Sequence, residues 1–512
     1  MRIDSMYGIK ILILTCVFSA QIGAYTTFDG KTVPPLPAPV NPTMCSTTIQ
    51  LYMALRTQGP NKTIVLKDGA YDIATIEPLR IDSIGVTIRG QSGDPTKVVI
   101  SGKGFENCDY PDEEMFQLAA DSIVFANVTI AESRCHGIKI LVDGVDNVRL
   151  HNVRFFNIGE RCIKGGLGGY GWNIGYCHFE NTKVPVNDTC RKDHIDGNYI
   201  AGMDIMNSDS WVVHDCLFRN IRGATGGGRG AIFFWGGTDG RQNKNVTVER
   251  NTFFGCDRSI CFGNASGAVD VTGGAIRNNF IVRGADNGIE MEHSSSVKIY
   301  NNTLYSTNPT FTMAVQFSAN DTANEFRNNI IFGNISGSVQ TMSNNITKNT
   351  AGDANTNWFV SRSDANLHLT GNATQAINQG ANGLVADDWD GHARVDATCD
   401  VGADEYNSVL VENRPAESEE TLTLSIFPNP FNPATAVKFS IAGITKEAVR
   451  LAVYDLKGGL VKVLMHRVSG KGPYTVAWDG TDGKGAQVSG GVYVCTLTAG
   501  SMVLARKMFL VR

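Results

Sequence analysis

The chain has 512 residues, of which 42% are hydrophobic, 19% are charged and 55 are glycine. This glycine content and the 41 asparagines argue against a helical bundle or coiled coil, because both residues are poor helix formers. The hydrophobic content argues against disorder, and the formal net charge of −5 excludes a generally basic nucleic-acid binder. The charge is uneven: residues 421–512 carry 11 Lys/Arg against 4 Asp/Glu, a net +7 that leaves −12 on the remainder.

The first 24 residues have the pattern of a secretory signal peptide. A basic start precedes a short apolar run at residues 9–20, and small residues follow at Gly23 and Ala24. The run is too short to span a bilayer, and no later segment has ~20 consecutive apolar residues, so we expect an exported protein without a transmembrane segment. Residues 25–44 are rich in proline and are expected to form an extended leader.

The middle of the chain repeats a segment with the pattern apolar, x, polar, x, x, apolar. Its polar positions step by 25, 24, 39, 35, 28, 23 and 27 residues, so that two consecutive steps are enlarged. Short β-patterned pieces at this period, without helical periodicity, predict the coils of a parallel β-helix. The polar positions are Asn127, Asn152, Tyr176, Asp215, Arg250, Asn278, Asn301 and Asn328.

The residue after each polar position supports this register. Asparagines stacked at one interior position would form a ladder, in which each side-chain amide bonds to the next coil. Of the twelve cysteines, Cys16 lies in the signal peptide, and the remaining eleven, an odd number in an exported chain, predict some disulfides and at least one free thiol. Two cysteines in this column would stack either as a disulfide or as small core residues. The column reads Val128, Val153, Cys177, Cys216, Asn251, Asn279, Asn302 and Asn329.

Segments at both ends of the repeat resemble parts of known β-helix proteins. Residues 63–104 look like the opening coils of right-handed, pectate-lyase-like β-helices, after a predicted capping helix at residues 45–57. The sequences DWDGHAR at residues 388–394 and DVGADE at residues 400–405 resemble the closing motif of many secreted bacterial β-helix proteins. We therefore expect an all-β chain with a right-handed parallel β-helix over residues 45–406.

The C-terminal region, residues 421–512, has short alternating strands separated by turns, as in a small immunoglobulin-like β-sandwich. Its motifs FPNPFNP (427–433), WDGTDG (478–483) and ARKMFLV (505–511) resemble the C-terminal sorting domain of type IX secretion. The resemblance implies export by the type IX secretion machinery, often followed by attachment to the cell surface. The polar, acidic residues 407–420 before it are predicted to be a linker. An ordinary accessory sandwich is the alternative.

A second strand in each coil carries the candidate functional residues. Alternation along these strands buries the flanking apolar residues and points the middle residue outward. The two enlarged coils add loops on the same side, where binding residues tend to collect. The outward column is expected to be Lys139, Lys164, Asp204, Ile232, Cys261, Glu290 and Gln316.

These residue types suit β-elimination of an acidic, uronic-acid polysaccharide. The reaction needs a neutralised carboxylate, a base for the adjacent proton and support for the leaving oxygen. Calcium held by carboxylates could supply the first, since oxygen ligands suit this ion. We assign the catalytic role to Lys139, Lys164, Lys192 or Arg229, the calcium ligands to Asp204, Glu290 and Glu292, and sugar binding to Phe234, Trp235, Arg241 and His293.

The calcium-dependent pectate lyases offer a closer comparison, from which the chain departs. Residues 211–218 and 246–264 resemble two coils of that family, but the next coil holds only Arg283 where an Arg-x-Pro-Arg-x-Arg segment is expected. Ile232 and Phe234 stand where calcium aspartates are expected, so that family's site is not transferred. We predict a secreted or surface-attached, monomeric polysaccharide lyase; a non-catalytic glycan-binding or adhesin-like protein and a glycoside hydrolase are the alternatives.

Overall fold

The computed structural model describes most of the chain from Tyr25 onward and divides it into two units, residues 1–406 and 407–512. The predicted signal peptide, the predicted linker and Lys192 lie outside the described residues. The described ranges are 25–27, 29–106, 114–185, 197–236, 240–265, 268–283, 287–306, 314–348, 357–394, 398–406, 423–427, 429, 431–441, 449–455, 459–466, 472–499 and 502–511.

The first unit is a right-handed parallel β-helix, as the repeat predicts. Equivalent residues of successive coils pair in parallel, as Val128 does with Val153. The strands of the first face are Thr43–Cys45, Thr63–Leu66, Thr87–Gly90, Asn173–Gly175, Val212–His214, Thr247–Glu249, Ala275–Arg277, Lys298–Tyr300, Glu325–Arg327 and Thr341–Ser343. Those of the second are Gly69–Asp72, Val98–Ser101, His178–Glu180, Leu217–Arg219, Thr252–Phe254, Phe280–Arg283, Thr303–Ser306, Ile330–Phe332 and Ile346–Lys348. Val124–Ser133 and Arg149–Ile158 run through both faces.

Two further parallel sheets complete the coils. The ten-stranded sheet contains Leu79–Ile81, Glu114–Leu118, His136–Ile140, Arg161–Gly165, Ala201–Ile205, Gly230–Phe234, Ile260–Phe262, Ile289–Met291, Val315–Phe317 and Ile335–Ser336. The five-stranded sheet contains Gly169–Tyr170, Ser208–Asp209, Asn243–Lys244, Val271–Thr272 and Ser294–Ser295. Inside the coils, the rings of Phe155, Phe179, Phe218 and Phe253 stack in a column with centroids 4.5 to 4.9 Å apart.

The helix Thr48–Arg56 closes the N-terminal end of the coils. The Thr47 side chain caps it by accepting a hydrogen bond from the backbone N–H of Gln50, and Leu51 and Leu55 are buried against the core. A short 3₁₀ helix, Pro95–Lys97, lies beside the early coils. No helix among the described residues is long and apolar enough to cross a bilayer.

Two adjacent columns of the repeat favour asparagine for different reasons, the first because of its backbone conformation and the second because of its side-chain hydrogen bonds. At every polar position of the repeat from Asn127 to Asn328, φ lies between 51° and 57°, the left-handed region that asparagine tolerates better than most residues. The next column forms the predicted ladder: the Asn251 amide donates to Asn279 (3.1 Å), and Asn279 donates to Asn302 (2.9 Å). The ladder continues through Asn329 to Asn345, one coil beyond the prediction.

The cysteines of the coils are core residues. The nine cysteines in the described parts of the chain are buried, and Cys177 and Cys216 are not joined by a disulfide. The backbone N–H of Cys177 donates to Cys216 Sγ at 3.4 Å, so these two stack as small core side chains and the disulfide alternative is wrong.

The leader segment, described over residues 25–27 and 29–44, contacts the β-helix. Tyr25–Thr26 pairs antiparallel with Thr32–Val33. The Lys31 ammonium donates to Asp215 at 2.9 Å and lies 3.8 Å from the centroid of the Trp389 ring. A buried ion pair of this kind fixes the segment because either partner alone would leave a buried charge without its counter-charge.

The closing segment also packs on the coils. The antiparallel pair Phe359–Ser361 and Asn366–Leu369 joins a separate apolar cluster, in which the Trp389 ring stacks on Phe280 with centroids 4.7 Å apart.

The second unit is an immunoglobulin-like β-sandwich. One antiparallel sheet contains Thr423–Phe427, Thr435–Ile441 and Gly472–Trp478. The other contains Val449–Tyr454, Leu460–His466, Gly491–Ala499 and Met502–Leu510. Its apolar core includes Phe439, Val453, Trp478 and Leu497.

The asparagine ladder predicts a position-specific loss of stability. Replacing Asn279 by leucine keeps the volume but removes the acceptor of two Asn251 donors and the donor to the Val248 carbonyl. Each buried group left without a partner costs about 1–3 kcal/mol, so we expect Asn279→Leu to lower the free energy of unfolding by about 3 kcal/mol or more. Asn320→Leu, at an exposed turn, is the matched control for urea unfolding, and an equal loss in both variants would contradict the ladder's role.

Candidate functional site

The outward column of the ten-stranded sheet differs from the prediction at one coil, where Phe233 takes the place predicted for Ile232. Lys139 pairs with Lys164, Lys164 with Asp204, and Asp204 with Phe233. Ile232 and Phe234 are fully buried in the core, so the assignment of Phe234 to sugar binding is wrong. A register slip of one residue moves a strand's side chains to the opposite face, and the glycine run before this strand gave no apolar pattern to fix its start.

Asp204 is the centre of the candidate site. Its side chain is fully buried, with Oδ2 accepting from Arg161 Nε at 2.8 Å and Oδ1 facing Lys164 Nζ at 3.0 Å. The Trp235 indole N–H also donates to Oδ1 at 2.8 Å. Burial opposes ionisation, but the charges of Arg161 and Lys164 hold the pKa of Asp204 well below its usual range.

Lys164 lies at the solvent edge of this cluster. Its side chain is 20% exposed, whereas that of Arg161 is 1% exposed. Burial lowers the pKa of Lys164, and the charge of Asp204 opposes that shift. A lysine in this setting loses its proton at lower pH than a solvated lysine, and its neutral amine can then accept a proton.

The charges continue into the two preceding coils. Glu160 is buried, with Oε2 lying 3.5 Å from Arg161 Nη1 and 3.7 Å from His136 Nε2. His136 Nδ1 lies 3.7 Å from Glu114, which also forms an ion pair with Lys139. Burial lowers the pKa of His136. For Glu114, burial acts to raise the pKa, but the hydrogen bonds with His136 and Lys139 outweigh it and lower the pKa to about 2.

Aromatic and cationic groups border the Asp204 cluster. The guanidinium of Arg161 lies over the ring of Tyr199, whose carbonyl accepts from Arg161 Nη1 at 3.0 Å. The exposed Arg229 lies on the same ring, with its guanidinium carbon 5.5 Å from the centroid, and it forms no ion pair with any described residue. Trp235 stacks beside Phe233 at 5.7 Å. Charged groups and a partly exposed indole therefore meet at one part of the sheet.

Glu290 belongs to a separate cluster farther along the sheet. It accepts from Arg258 Nε at 3.0 Å and from the Asn287 amide at 2.8 Å. Burial and the charge of Glu290 raise the pKa of the neighbouring Glu292. Three strand pairings separate Asp204 from Glu290, which corresponds to roughly 14 Å at the usual spacing of strands.

The predicted calcium ligands do not fit one calcium site. Calcium needs six to eight oxygen ligands around a single point. The Asp204 oxygens already accept from Arg161, Lys164 and Trp235, and Glu290 is held by Arg258 three coils away. Asp204 and Glu290 therefore do not share one ion, as their separation by three coils in the outward column implies, and each already has cationic partners.

Of the other residues predicted to bind sugar, Arg241 contacts the coil of Lys164, whereas His293 lies elsewhere. Arg241 Nη1 donates to the carbonyl of Gly166, in the turn after the Lys164 strand, at 2.6 Å. His293 lies in the turn after Ile289–Met291, where its Nδ1 is 2.8 Å from the Asn264 carbonyl oxygen, so it is not part of the Asp204 cluster.

Sequence reasoning missed Arg161, His136, Glu160 and Glu114, which lie at or near strand starts. One signal could have found the arginines. Arg161 and Arg258 each stand three residues before an outward position, and each reaches a carboxylate in the outward column one coil later.

The first unit is similar to solved polysaccharide lyases. Pectate lyase Pel9A superposes with a TM-score of 0.51 at 17% identity, covering 69% of this chain and 90% of that chain. An alginate lyase from Paenibacillus sp. str. FPU-7 has a TM-score of 0.41 at 14% identity, covering 60% and 97%. A PL6 alginate lyase in complex with a trisaccharide has a TM-score of 0.37 at 14% identity, covering 59% and 62%. The likeness to Pel9A establishes a polysaccharide-lyase-like β-helix fold.

The second unit matches a known domain family. The model of the FlgD Ig-like domain matches residues 433–502, which agrees with the observed sandwich. No curated protein sequence matches the chain at a significant level.

Proposed function

We propose that the protein is an exported lyase that cleaves an acidic polysaccharide by β-elimination, with Lys164 as the base. The observation that carries the proposal is the cluster of Arg161, Lys164 and Asp204 on the outward side of the ten-stranded sheet. It combines a lysine of lowered pKa with a fixed counter-charge, and such perturbed groups concentrate at catalytic sites. The lyase-like fold is consistent with this chemistry but does not by itself assign it.

The reaction divides naturally among these groups. The neutral amine of Lys164 takes the proton next to the sugar carboxylate, and the electron pair forms a carbon–carbon double bond as the bond to the leaving oxygen breaks. The leaving oxygen takes a proton from water, and Lys164 later returns its proton to solvent. Asp204 orients the amine through its 3.0 Å contact. Arg161 acts as a positioning residue, since its guanidinium is buried and holds Asp204 instead of facing solvent.

Neutralisation of the substrate carboxylate is assigned to Arg229. Its guanidinium is exposed, it forms no ion pair within the described part of the chain, and Tyr199 separates it from Arg161. A guanidinium can bind a carboxylate with two parallel hydrogen bonds, and it stays charged at any pH that the enzyme meets. Lys139 is partly exposed beside Lys164 and can contribute positive charge, although Glu114 already pairs with it.

Sugar binding is assigned to Trp235 and Tyr199. Both are partly exposed, and both contact the Asp204 cluster directly. Aromatic rings present flat apolar faces and keep a polar handle, which suits the mixed surface of a sugar.

The catalytic assignment is tested by following unsaturated product. The purified protein would be incubated with pectate, alginate and glycosaminoglycans, with ultraviolet absorbance and product mass as readouts. Because a general base contributes about 10²–10⁴-fold, Lys164→Ala should lower kcat/KM by at least about a hundredfold, while Lys298→Ala on another face should leave it unchanged.

Each other outcome contradicts part of the proposal. No unsaturated product on any anionic polysaccharide would contradict the lyase, and tight binding without cleavage would support a glycan-binding protein instead. Full activity of Lys164→Ala would contradict the base assignment even with the reaction correct.

We also propose that the second unit is a sorting domain of type IX secretion. Two of the motifs that carry this resemblance meet in the structure: the Phe431 N–H donates to the Phe509 carbonyl, and the Val511 N–H donates to the Phe431 carbonyl, both at 2.9 Å. The Asn429 amide donates to the Lys507 carbonyl at 2.8 Å. The motifs therefore build one surface, with Lys507 exposed on it.

Export provides the test of the sorting assignment. In a host with the type IX machinery, the double variant Arg506→Glu and Lys507→Glu should reduce the extracellular protein severalfold, because it reverses two exposed charges on the motif surface. Lys484→Glu, an exposed charge reversal elsewhere in the same unit, is the control. Equal export of both variants would contradict recognition through this surface.

A further inference from the structure

The glycine-rich loop before the strand Gly230–Phe234 folds around one buried carboxylate. Asp257 Oδ2 accepts from the backbone N–H of Gly223 at 2.7 Å and from that of Gly228 at 3.0 Å. The other oxygen, Oδ1, faces Arg222 Nε at 3.6 Å, and the Asp257 side chain is 1% exposed. Two amides from opposite ends of the loop are therefore tied to the same oxygen atom.

The loop requires glycine where it packs on its anchors. A Cβ atom added to Gly228 would lie 3.1 Å from Asp257 Oδ2, and one added to Gly223 would lie 2.4 Å from Asn198 Oδ1. The Asn198 side chain holds the middle of the loop, donating to Thr225 Oγ1 at 2.7 Å and accepting from the Thr225 N–H at 3.2 Å. Glycine permits such close approaches because it has no Cβ atom.

Arg229 follows this loop directly, and its backbone is fixed from the coil on either side. Its N–H donates to the Ile200 carbonyl at 2.8 Å, and its carbonyl accepts from Arg258 Nη1 at 3.1 Å. Arg258 in turn donates through Nε to Glu290 at 3.0 Å. The guanidinium of Arg229 meanwhile stays exposed beside the ring of Tyr199.

We propose that Asp257 is a positioning residue, which closes the glycine-rich loop and so places Arg229 to meet the substrate carboxylate, a role that rests on the proposed function. A free glycine-rich segment has many conformations, so an arginine at its end would be poorly placed. Tying both ends of the loop to Asp257 removes that freedom before the substrate binds, and binding groups held in advance act most effectively. The contact of Arg258 with Glu290 supports the same backbone from the next coil.

Hydrogen exchange of the full chain, followed by mass spectrometry, tests the loop contact without depending on activity. In Asp257→Ala two amides of the loop lose their acceptor, so peptides covering residues 222–230 should exchange about tenfold faster or more, while residues 201–205 stay protected. Gly228→Ala leaves Asp257 in place and should have the same effect, because the added Cβ crowds the Asp257 carboxylate.

Each variant has a matched control. Asp400→Ala removes another buried carboxylate that accepts from two backbone N–H groups, those of Asn378 and Tyr406, in the closing segment. Gly59→Ala adds a Cβ atom that meets nothing within 4 Å. Neither control should change the exchange of residues 222–230.

Activity on the anionic polysaccharide that the protein cleaves provides the second test. Misplacing a group by about 1 Å can cost about a hundredfold, so Asp257→Ala should lower kcat/KM by about tenfold to a hundredfold. In an Arg229→Ala background the placed guanidinium is gone, so Asp257→Ala should change kcat/KM by less than about twofold, because residues that act through one contact are not additive.

Three results separate this proposal from the proposed function. Unchanged exchange of residues 222–230 in both Asp257→Ala and Gly228→Ala would overturn the loop contact. Independent, multiplying effects of Asp257→Ala and Arg229→Ala on kcat/KM would overturn action through Arg229. Wild-type kcat/KM in Arg229→Ala alone would contradict the carboxylate-binding role in the proposed function, and with it the purpose assigned to the loop, whatever the exchange shows.

Discussion

The in-register stacking of parallel coils is the constraint on which the rest of the structure depends. Neighbouring coils lie ~4.8 Å apart, so each side chain has an equivalent side chain directly above and below it. Apolar, aromatic and amide columns satisfy this condition by stacking like on like, as the asparagines from Asn251 to Asn345 do. A column of charges cannot, because like charges at this distance repel each other.

The outward column meets this problem by pairing charges between coils. Arg161 reaches Asp204 in the next coil, and Arg258 reaches Glu290 in the next coil. These pairs use arginines at the strand starts. Lys164 therefore shares the Asp204 carboxylate with Arg161, and its side chain is mostly buried. The same stacking rule that builds the scaffold therefore produces the perturbed lysine of the candidate site.

The sequence was sufficient to predict the coils because their period is regular and their interior ladder repeats one residue type. It failed where regularity ends. The strand Gly230–Phe234 follows a glycine run that carries no apolar alternation, so Phe233 was placed one position off. The ion pair of Lys31 with Asp215 joins residues 184 positions apart, and no local pattern encodes such a contact.

The state of Lys164 is the central claim, and direct titration of its side chain tests it. Lysine side-chain resonances of the selectively labelled protein would be followed against pH, with Lys164→Arg identifying the signal. We expect Lys164 to lose its proton at lower pH than an ordinary lysine. In Asp204→Asn its pKa should fall further, because Asp204 favours the charged form. Titration of Lys164 in the usual lysine range, unaffected by Asp204→Asn, would contradict the account.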